Sequence, residues 1–168
     1  MKKTLPIFAG FLFLLAACSK HENQLRAAGL REISGKVFIA TEGQPNLPLA
    51  KTAVMVADWD ECVQNFKKLK DKHAAAKGQS PLGLSDYWQV LGGVVQGVET
   101  DASGEFKMTV SAKKSLVLCA SAAHGSGSGI TRNYWLIRLN EAPVQRFELS
   151  NRNSMPDVQT IDDMVIVH

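Results

Sequence analysis

The segment TDASGEF at residues 100–106 combines turn-forming residues with the start of a strand. The side chains of Asp101 and Ser103 can bond the backbone of a tight turn, and Gly104 can take the positive φ that such a turn often needs. Phe106 then opens a segment, FKMTV, in which apolar and polar residues alternate. Strict alternation is typical of a half-buried strand. The segment therefore predicts a tight turn that leads into a strand whose first core residue is Phe106.

Further short strands are predicted on both sides of this turn. They are rich in β-branched and aromatic residues, and regions with several Gly, Pro and Asn residues separate them. The predicted strands cover residues 33–40, 52–57, 87–98 (with a bend near the glycine pair, or as two short strands), 106–110, 115–122, 130–139, 145–149 and 161–167. Many short strands with frequent turns favour a β-sandwich over alternating β and α units.

One amphipathic helix is predicted within this series of strands. Asp58 is a suitable N-cap, and Glu61 stands in the capping-box position three residues later. Gly78 is a natural end for the helix. Apolar residues and one histidine recur at spacings of three and four between these ends, and they are Trp59, Cys62, Val63, Phe66, Leu69 and His73. The lysine-rich segment at residues 67–72 is interpreted as a solvated face or as a contact with an anionic surface.

The motif at residues 100–106 resembles the T-D-x-x-G-x-F signature of carboxypeptidase regulatory-like domains. The residues that match the signature are Thr100, Asp101, Gly104 and Phe106. The resemblance covers about residues 32–122 and implies a transthyretin-like or Ig-like β-sandwich, in which residues 58–98 form an insertion that contains the helix. The same residue types would also suit a tight turn in an unrelated sandwich. The family consists of accessory, binding or structural modules, so the resemblance implies no particular activity.

The N-terminus has the order of a secretory signal. A basic start at residues 2–3 precedes an apolar run at residues 5–17, which is too short to span a bilayer. The run ends in Leu-Ala-Ala-Cys at residues 15–18, which resembles the lipobox of bacterial lipoproteins. The resemblance implies that residues 1–17 are a signal peptide. It also implies that the thiol of Cys18 receives a diacylglycerol and that its amine is acylated, as with palmitate. The alternatives are an ordinary signal peptide in which this cysteine stands by chance, or a short buried helix.

The residue after the cysteine bears on location. Ser19 is not an aspartate, and by resemblance to the Gram-negative sorting pattern this implies the outer membrane, with the domain on its periplasmic face. Two or three acyl chains anchor a protein durably. Residues 18–31 are predicted to be the lipidated cysteine and a tether, in part helical. Residues 32–168 are predicted to be the β-sandwich domain.

The composition excludes some classes of protein. The chain has 168 residues, of which 45% are hydrophobic and 21% are charged, as in a globular domain. Its 19 Lys and Arg residues face 16 Asp and Glu residues, which gives a formal net charge of +3. Two of those lysines leave with the predicted signal peptide. Because nucleic-acid binding needs a clustered basic face, no nucleic-acid partner is predicted.

Cysteine and histidine spacings do not predict a metal site or a cofactor. Cys62 and Cys119 form an even pair once Cys18 is lipidated, and an exported protein can form disulfides. They are predicted to be either a disulfide or two buried free thiols. The histidines are widely separated, at His21, His73, His124 and His168, and no metal-ligating motif joins them.

No catalytic motif stands out. The Gly-Ser run at residues 125–129 has neither the G-x-S-x-G spacing of a nucleophile elbow nor the Gly-Lys of a P-loop. The sequence therefore predicts a non-enzymatic binding or scaffolding module of the cell envelope, with an envelope protein or glycan as its partner. The alternative hypothesis is a small envelope enzyme, or an enzyme inhibitor or immunity-type lipoprotein, that acts through the insertion at residues 58–98.

Overall fold

The computed structural model describes residues 20–76, 82–112, 115–125 and 129–155. Within these residues, eight strands form two four-stranded sheets, and helices cover one of them. The strands are β1 (Leu30–Ile39), β2 (Leu47–Pro48), β3 (Ala53–Asp58), β4 (Val94–Glu99), β5 (Glu105–Ser111), β6 (Leu116–His124), β7 (Thr131–Arg138) and β8 (Val144–Ser150). The predicted mainly β sandwich is confirmed. The predicted strand at residues 161–167 lies outside the described residues.

Strand β1 is central to the first sheet, which contains β1, β2, β5 and β8. β8 runs parallel to β1 along one edge, and β5 and then β2 run antiparallel along the other. The second sheet has the strand order β4-β3-β6-β7, with every neighbouring pair antiparallel. Apolar side chains from the inner faces of both sheets form the main core. Its largest fully buried members include Ile33, Val37, Val54, Leu118, Trp135 and Leu149.

A second apolar cluster lies on the other side of the second sheet. It joins residues of that sheet to the helices α2 (Trp59–Ala75) and α3 (Leu84–Gln89). These two helices come later in the chain than a first helix, α1, at residues 20–28. The prediction of α2 and of its N-cap is confirmed, because Asp58 Oδ1 accepts hydrogen bonds from the backbone N–H groups of Asp60 and Glu61, each at 3.1 Å. The two helices therefore cover the outer face of the second sheet. Neither α2 nor α3 covers the outer face of the first sheet.

The prediction of strand from residue 87 onward was wrong for its first part. Tyr87 belongs to α3, and only the residues from Val94 onward form a strand. The helix begins after Gly83, whose backbone N–H donates to the carboxylate of Asp86 at 2.8 Å. Leu84 and Tyr87, three residues apart, are buried in the second cluster. Aromatic content favoured a strand locally, but burial of one face against α2 and the sheet favours a helical turn.

Regular secondary structure is present ahead of the predicted domain boundary at residue 32. Residues 20–28 form α1, and β1 starts at Leu30. Gly29 ends the helix with φ +65°. The buried guanidinium of Arg31 donates to the carbonyls of Asn140 at 2.8 Å and Ala112 at 2.6 Å. Much of the expected tether is therefore part of the folded domain. No helix in the described residues is both long and apolar enough to cross a membrane.

Candidate functional site

The outer face of the first sheet is charged because its strands alternate. In β1, Ile33 and Val37 are buried between the sheets, so Glu32, Ser34 and Lys36 lie on the opposite face. The same alternation in β5 and β8 adds Glu105, Lys107, Arg146 and Glu148 to that face. We call the surface formed by these seven residues the charged face. A groove of about 810 Å³ lies over it.

The strand register places a basic side chain on each side of a serine hydroxyl group. Ser34 of β1 is paired with Lys107 of β5 on one side and with Arg146 of β8 on the other. We call these three residues the basic row. Because the serine side chain is short and the two flanking side chains are long, the row forms a depression with a cationic group at each end.

A second row has the opposite charge pattern. Two residues further along β1, Lys36 is paired with Glu105 on one side and with Glu148 on the other. We call these three residues the acidic row. The lysine Nζ lies 4.0 Å from the Glu105 carboxylate, and both side chains are exposed. The charged face is therefore mixed in sign: the basic row carries two cationic groups, and the acidic row carries two carboxylates with the Lys36 ammonium group between them.

Glu32 makes the shortest contacts with basic side chains on the charged face. Its Oε2 lies 2.8 Å from Lys107 Nζ and 3.0 Å from His21 Nε2. The hydrogen bond from Lys107 is the main cause that lowers the pKa of Glu32 below its usual value. Desolvation by burial opposes this effect, and the hydrogen bond with His21 adds to it. This carboxylate is therefore ionised near neutral pH and holds α1 and β5 to β1.

Two charged groups of the face remain available. Among the residues that the structure describes, the side chains of Arg146 and Glu148 have no ion-pair or hydrogen-bond partner. Both side chains are exposed. A guanidinium can form paired hydrogen bonds with a phosphate or carboxylate, and a carboxylate can accept hydrogen bonds from an ammonium group. The groove therefore has one unpaired group of each sign with which to bind a ligand.

The signature residues predicted from sequence build the turn before β5. Asp101 Oδ1 accepts hydrogen bonds from the Ser103 N–H at 2.8 Å, the Ser103 hydroxyl at 2.7 Å and the Glu105 N–H at 2.9 Å. These bonds, led by the one from the Ser103 side chain, lower the pKa of Asp101. Phe106 follows with its ring in the core. Asp101 and Phe106 also border the groove at its edge.

Thr100 and Gly104 attach this turn to the rest of the sandwich. The buried Thr100 hydroxyl donates to the Leu49 carbonyl at 2.6 Å and accepts from the Thr52 N–H at 2.9 Å. Gly104 has φ +76°, and its carbonyl accepts from the Val37 N–H at 2.8 Å. Each signature position identified from the sequence therefore has a structural role that explains its residue type.

No disulfide joins the two cysteines for which the sequence left a bridge or two free thiols open. Cys62 of α2 and Cys119 of β6 are free, buried thiols that belong to the same apolar cluster. The Cys62 thiol donates to the Gly92 carbonyl at 3.4 Å. Burial raises the pKa of both thiols, so neither is a reactive thiolate at neutral pH. The alternative interpretation from sequence, two buried free thiols, describes the arrangement found.

The other chemistry-bearing residues do not form a cluster. In the described part of the chain, no group of three His, Cys, Asp or Glu side chains could hold a metal ion. His21 contacts Glu32, and His124 Nδ1 lies 3.1 Å from Asn133 Nδ2. The predicted lipidation site Cys18, residues 126–128 and His168 lie outside the described residues. The insertion at residues 58–98 supplies α2, α3 and β4 and contributes no lining residue to the groove.

Sequence reasoning missed the charged face as a site. The polar half of β5 was visible as the alternation of Glu105 and Lys107 with apolar residues. No local signal, however, could reveal that Arg146, more than a hundred residues after Ser34, lies beside it. Polar or charged side chains at alternate positions of three separate strands were visible in the sequence, but only the pairing of those strands brings them together.

Comparison with known proteins adds no family. No protein-family model and no curated protein matches the chain. A proposed carbohydrate-binding protein from Pseudomonas aeruginosa is 15% identical with a TM-score of 0.41, covering 88% of this chain and 100% of that one. The N-terminal domain of a shaft pilin from Lactobacillus rhamnosus GG is 8% identical with a TM-score of 0.42, covering 78% and 96%.

A lipoxygenase also resembles part of the fold. The 9R-lipoxygenase from Cyanothece is 12% identical with a TM-score of 0.36, and the match covers 73% of this chain. The chain spans only 16% of that protein. At these identities and TM-scores, the likenesses carry no conclusion about ligand or activity.

Proposed function

We propose that the protein is a lipid-anchored, non-enzymatic binding module of the cell envelope that meets its partner through the charged face. The observation that carries the binding surface is the groove of about 810 Å³ over the two rows of opposite charge. Its unpaired groups, Arg146 and Glu148, suit a partner that bears both an anionic and a cationic group. Because α2 and α3 occupy the other side of the sandwich, the first sheet is the face available for such a partner.

The anchor is the sequence-based part of this proposal. The lipobox-like residues 15–18 support lipidation of Cys18, and Ser19 supports transfer to the outer membrane with the domain on the periplasmic side. Acyl chains on this cysteine would keep the domain at the membrane, where the concentration of an envelope partner is high.

Lipidation is tested by metabolic labelling with an alkyne-bearing palmitate. The wild-type chain should take up the label and sediment with membranes, and the Cys18→Ala chain should do neither. Cys62→Ala is the matched control, because it removes a cysteine that is buried in the domain. Equal labelling of the Cys18→Ala chain would overturn the anchor.

The binding face is tested by photo-crosslinking in intact envelopes. A photoreactive amino acid at position 34, in the centre of the charged face, should capture a partner. The same amino acid at position 64, an exposed position of α2, should capture it much less. Equal capture from the two positions, or capture from position 64 alone, would show that the charged face is not the binding surface.

A further inference from the structure

Helix α1 brings the beginning of the described chain to the charged face. His21, in its first turn within the described residues, lies 3.0 Å from Glu32 through its Nε2 atom. Leu25 of the same helix is only 9% exposed. The helix therefore packs on the domain, and the turn that contains His21 lies near one edge of the charged face.

The predicted lipidation site is very close to this contact. Cys18 precedes His21 by three residues. Since an extended chain spans at most about 3.6 Å per residue, their Cα atoms lie within about 11 Å of each other. Acyl chains begin at the membrane–water interface. A lipid on Cys18 would therefore hold the Glu32 edge of the charged face next to the headgroup layer.

We propose that the charged face binds the phosphoethanolamine headgroups of the membrane to which the protein is anchored. This inference rests on the proposed function, because it requires the lipid on Cys18. A phosphoethanolamine headgroup carries a phosphate and an ammonium group a short distance apart. Arg146 of the basic row matches the phosphate, and Glu148 of the acidic row matches the ammonium group, because neither side chain has a partner among the described residues.

The basic row has the arrangement that a phosphate needs. Neighbouring strands lie about 4.8 Å apart, so Lys107 and Arg146 flank Ser34 with their backbones about 10 Å apart. A phosphate above the short Ser34 side chain can accept paired hydrogen bonds from the Arg146 guanidinium. Arg146 has no competing partner among the described residues, whereas Lys107 is shared with Glu32.

The acidic row lies two residues away along the strands, which is about 7 Å. Glu148 has no partner among the described residues, and Glu105 is only weakly held by Lys36 at 4.0 Å. Because Lys36 stands between the two glutamates and lies nearer Glu105, Glu148 on the β8 side is the carboxylate that can accept from an ammonium group while Arg146 holds the phosphate. A purely anionic lipid would meet repulsion from this second row, so the mixed charge favours a zwitterionic headgroup.

Helix α2 presents a competing surface. The lysine-rich segment at residues 67–72 lies on the side of the sandwich opposite to the charged face, because α2 covers the second sheet. An anionic membrane would attract those lysines. The short distance between Cys18 and His21 instead favours the charged face, and the two orientations predict protection of different positions.

The experiment uses the lipidated full chain in vesicles of phosphatidylethanolamine and phosphatidylglycerol. A membrane-impermeant maleimide reports the accessibility of a thiol introduced by Ser34→Cys or, as the matched control on α2, by Gln64→Cys. The reference state is the same protein in non-ionic detergent, which contains no phosphate. Labelling at position 34 should be about tenfold slower in vesicles than in detergent, since a hydrogen bond between the Arg146 guanidinium and a phosphate favours the covered state by about that factor. Labelling at position 64 should be unchanged.

A second substitution tests the basic row directly. In the Ser34→Cys chain, Arg146→Ala should restore fast labelling in vesicles. Arg152→Ala should not, because this exposed arginine lies outside the charged face. Replacing phosphatidylethanolamine by phosphatidylglycerol should also weaken the protection, as the acidic row would then lack its ammonium partner.

The outcomes separate this inference from the proposed function. Equal labelling of position 34 in vesicles and detergent, by protein that floats with the vesicles, would overturn headgroup binding and leave the anchor intact. Slower labelling in vesicles at position 64 alone would assign the membrane contact to α2, and it would also overturn headgroup binding by the charged face. Photo-crosslinking from position 34 that captured a protein or glycan but no lipid would also overturn headgroup binding. Protein that neither carries palmitate nor floats would contradict the anchor itself.

Discussion

The carboxylate of Glu32 and the ammonium group of Lys107 lie 2.8 Å apart on adjacent strands of the first sheet. His21 of α1 contacts the same carboxylate at 3.0 Å. One acidic side chain therefore connects the N-terminal helix, the central strand and β5 at the edge of the charged face. Its ionisation state affects both the attachment of α1 and the charge of the groove.

Glu32→Gln should reduce the loss of stability in acid. The pKa of Glu32 is lower in the folded chain than its usual value of 4.5, chiefly because of the hydrogen bond from Lys107. The ionised group therefore stabilises the folded state at pH values above 4.5, and this contribution is lost as the pH falls through the folded-state pKa. Denaturant unfolding over a pH series measures the free energy of unfolding. The difference in this free energy between wild type and variant should be largest near neutral pH and should shrink in acid.

Glu105→Gln is the control for this pH effect. Its carboxylate is exposed and lies 4.0 Å from Lys36, so its replacement should leave the pH profile close to that of wild type. If Glu32→Gln and Glu105→Gln gave the same profile, the ion pairs of Glu32 would have no role in the acid response.

Gly104→Ala should destabilise the turn before β5 more than Gly43→Ala destabilises its loop. Both glycines have positive φ, +76° and +67°. A Cβ at Gly104 would lie 2.5 Å from the Val37 carbonyl oxygen, whereas nothing lies within 4 Å at Gly43. We expect about 1 kcal/mol for Gly43→Ala, the usual strain of a left-handed alanine. We expect about 3 kcal/mol for Gly104→Ala, because backbone must also move. Thermal or denaturant unfolding measures both, and equal losses would contradict the close approach of Val37.

Gly35→Ala should be among the most damaging single substitutions in the first sheet. The glycine lies between Phe106 of β5 and Phe147 of β8. A Cβ here would meet the Phe147 carbonyl and would lie 2.8 Å from the Phe106 ring. We expect a loss of about 3 kcal/mol in the free energy of unfolding, at the upper end of the range for overpacked cores.

Gly97→Ala is the matched control for Gly35→Ala, because Gly97 also lies within a strand. Its added Cβ would lie 3.5 Å from the nearest atom, Met55 Cγ, which is ordinary contact. We expect this variant to be unchanged or stabilised by up to about 1 kcal/mol, since alanine restricts the unfolded chain. A large loss at both positions would indicate that strand glycines are needed for a reason other than space.

Cys62 and Cys119 should react with iodoacetamide only when the domain opens. Both thiols are buried, and burial raises their pKa, so the reactive thiolate is scarce in the folded chain. Mass spectrometry after native labelling should find both unmodified, and labelling in denaturant without reductant should modify both. A disulfide-linked peptide from the non-reduced protein would contradict the free thiols.

The sequence by itself determined the local elements whose causes are local. Asp101, Ser103 and Gly104 specify the turn because the carboxylate, the hydroxyl and the missing Cβ act within a few residues. Asp58 specifies the start of α2 in the same way, since it caps N–H groups two and three residues ahead. Alternation after Phe106 predicted a half-buried strand because neighbouring side chains in a strand must point to opposite faces.

Tertiary structure decided what depends on pairing between distant segments. The parallel pairing of β1 with β8 places Arg146 beside Ser34, and the antiparallel pairing with β5 places Lys107 on its other side. A shift of one residue in either register would turn a basic side chain toward the core. Such a register is fixed by the packing of both sheets, so no local pattern could reveal the charged face. Packing likewise made Leu84–Gln89 a helix, although its aromatic residues favoured a strand.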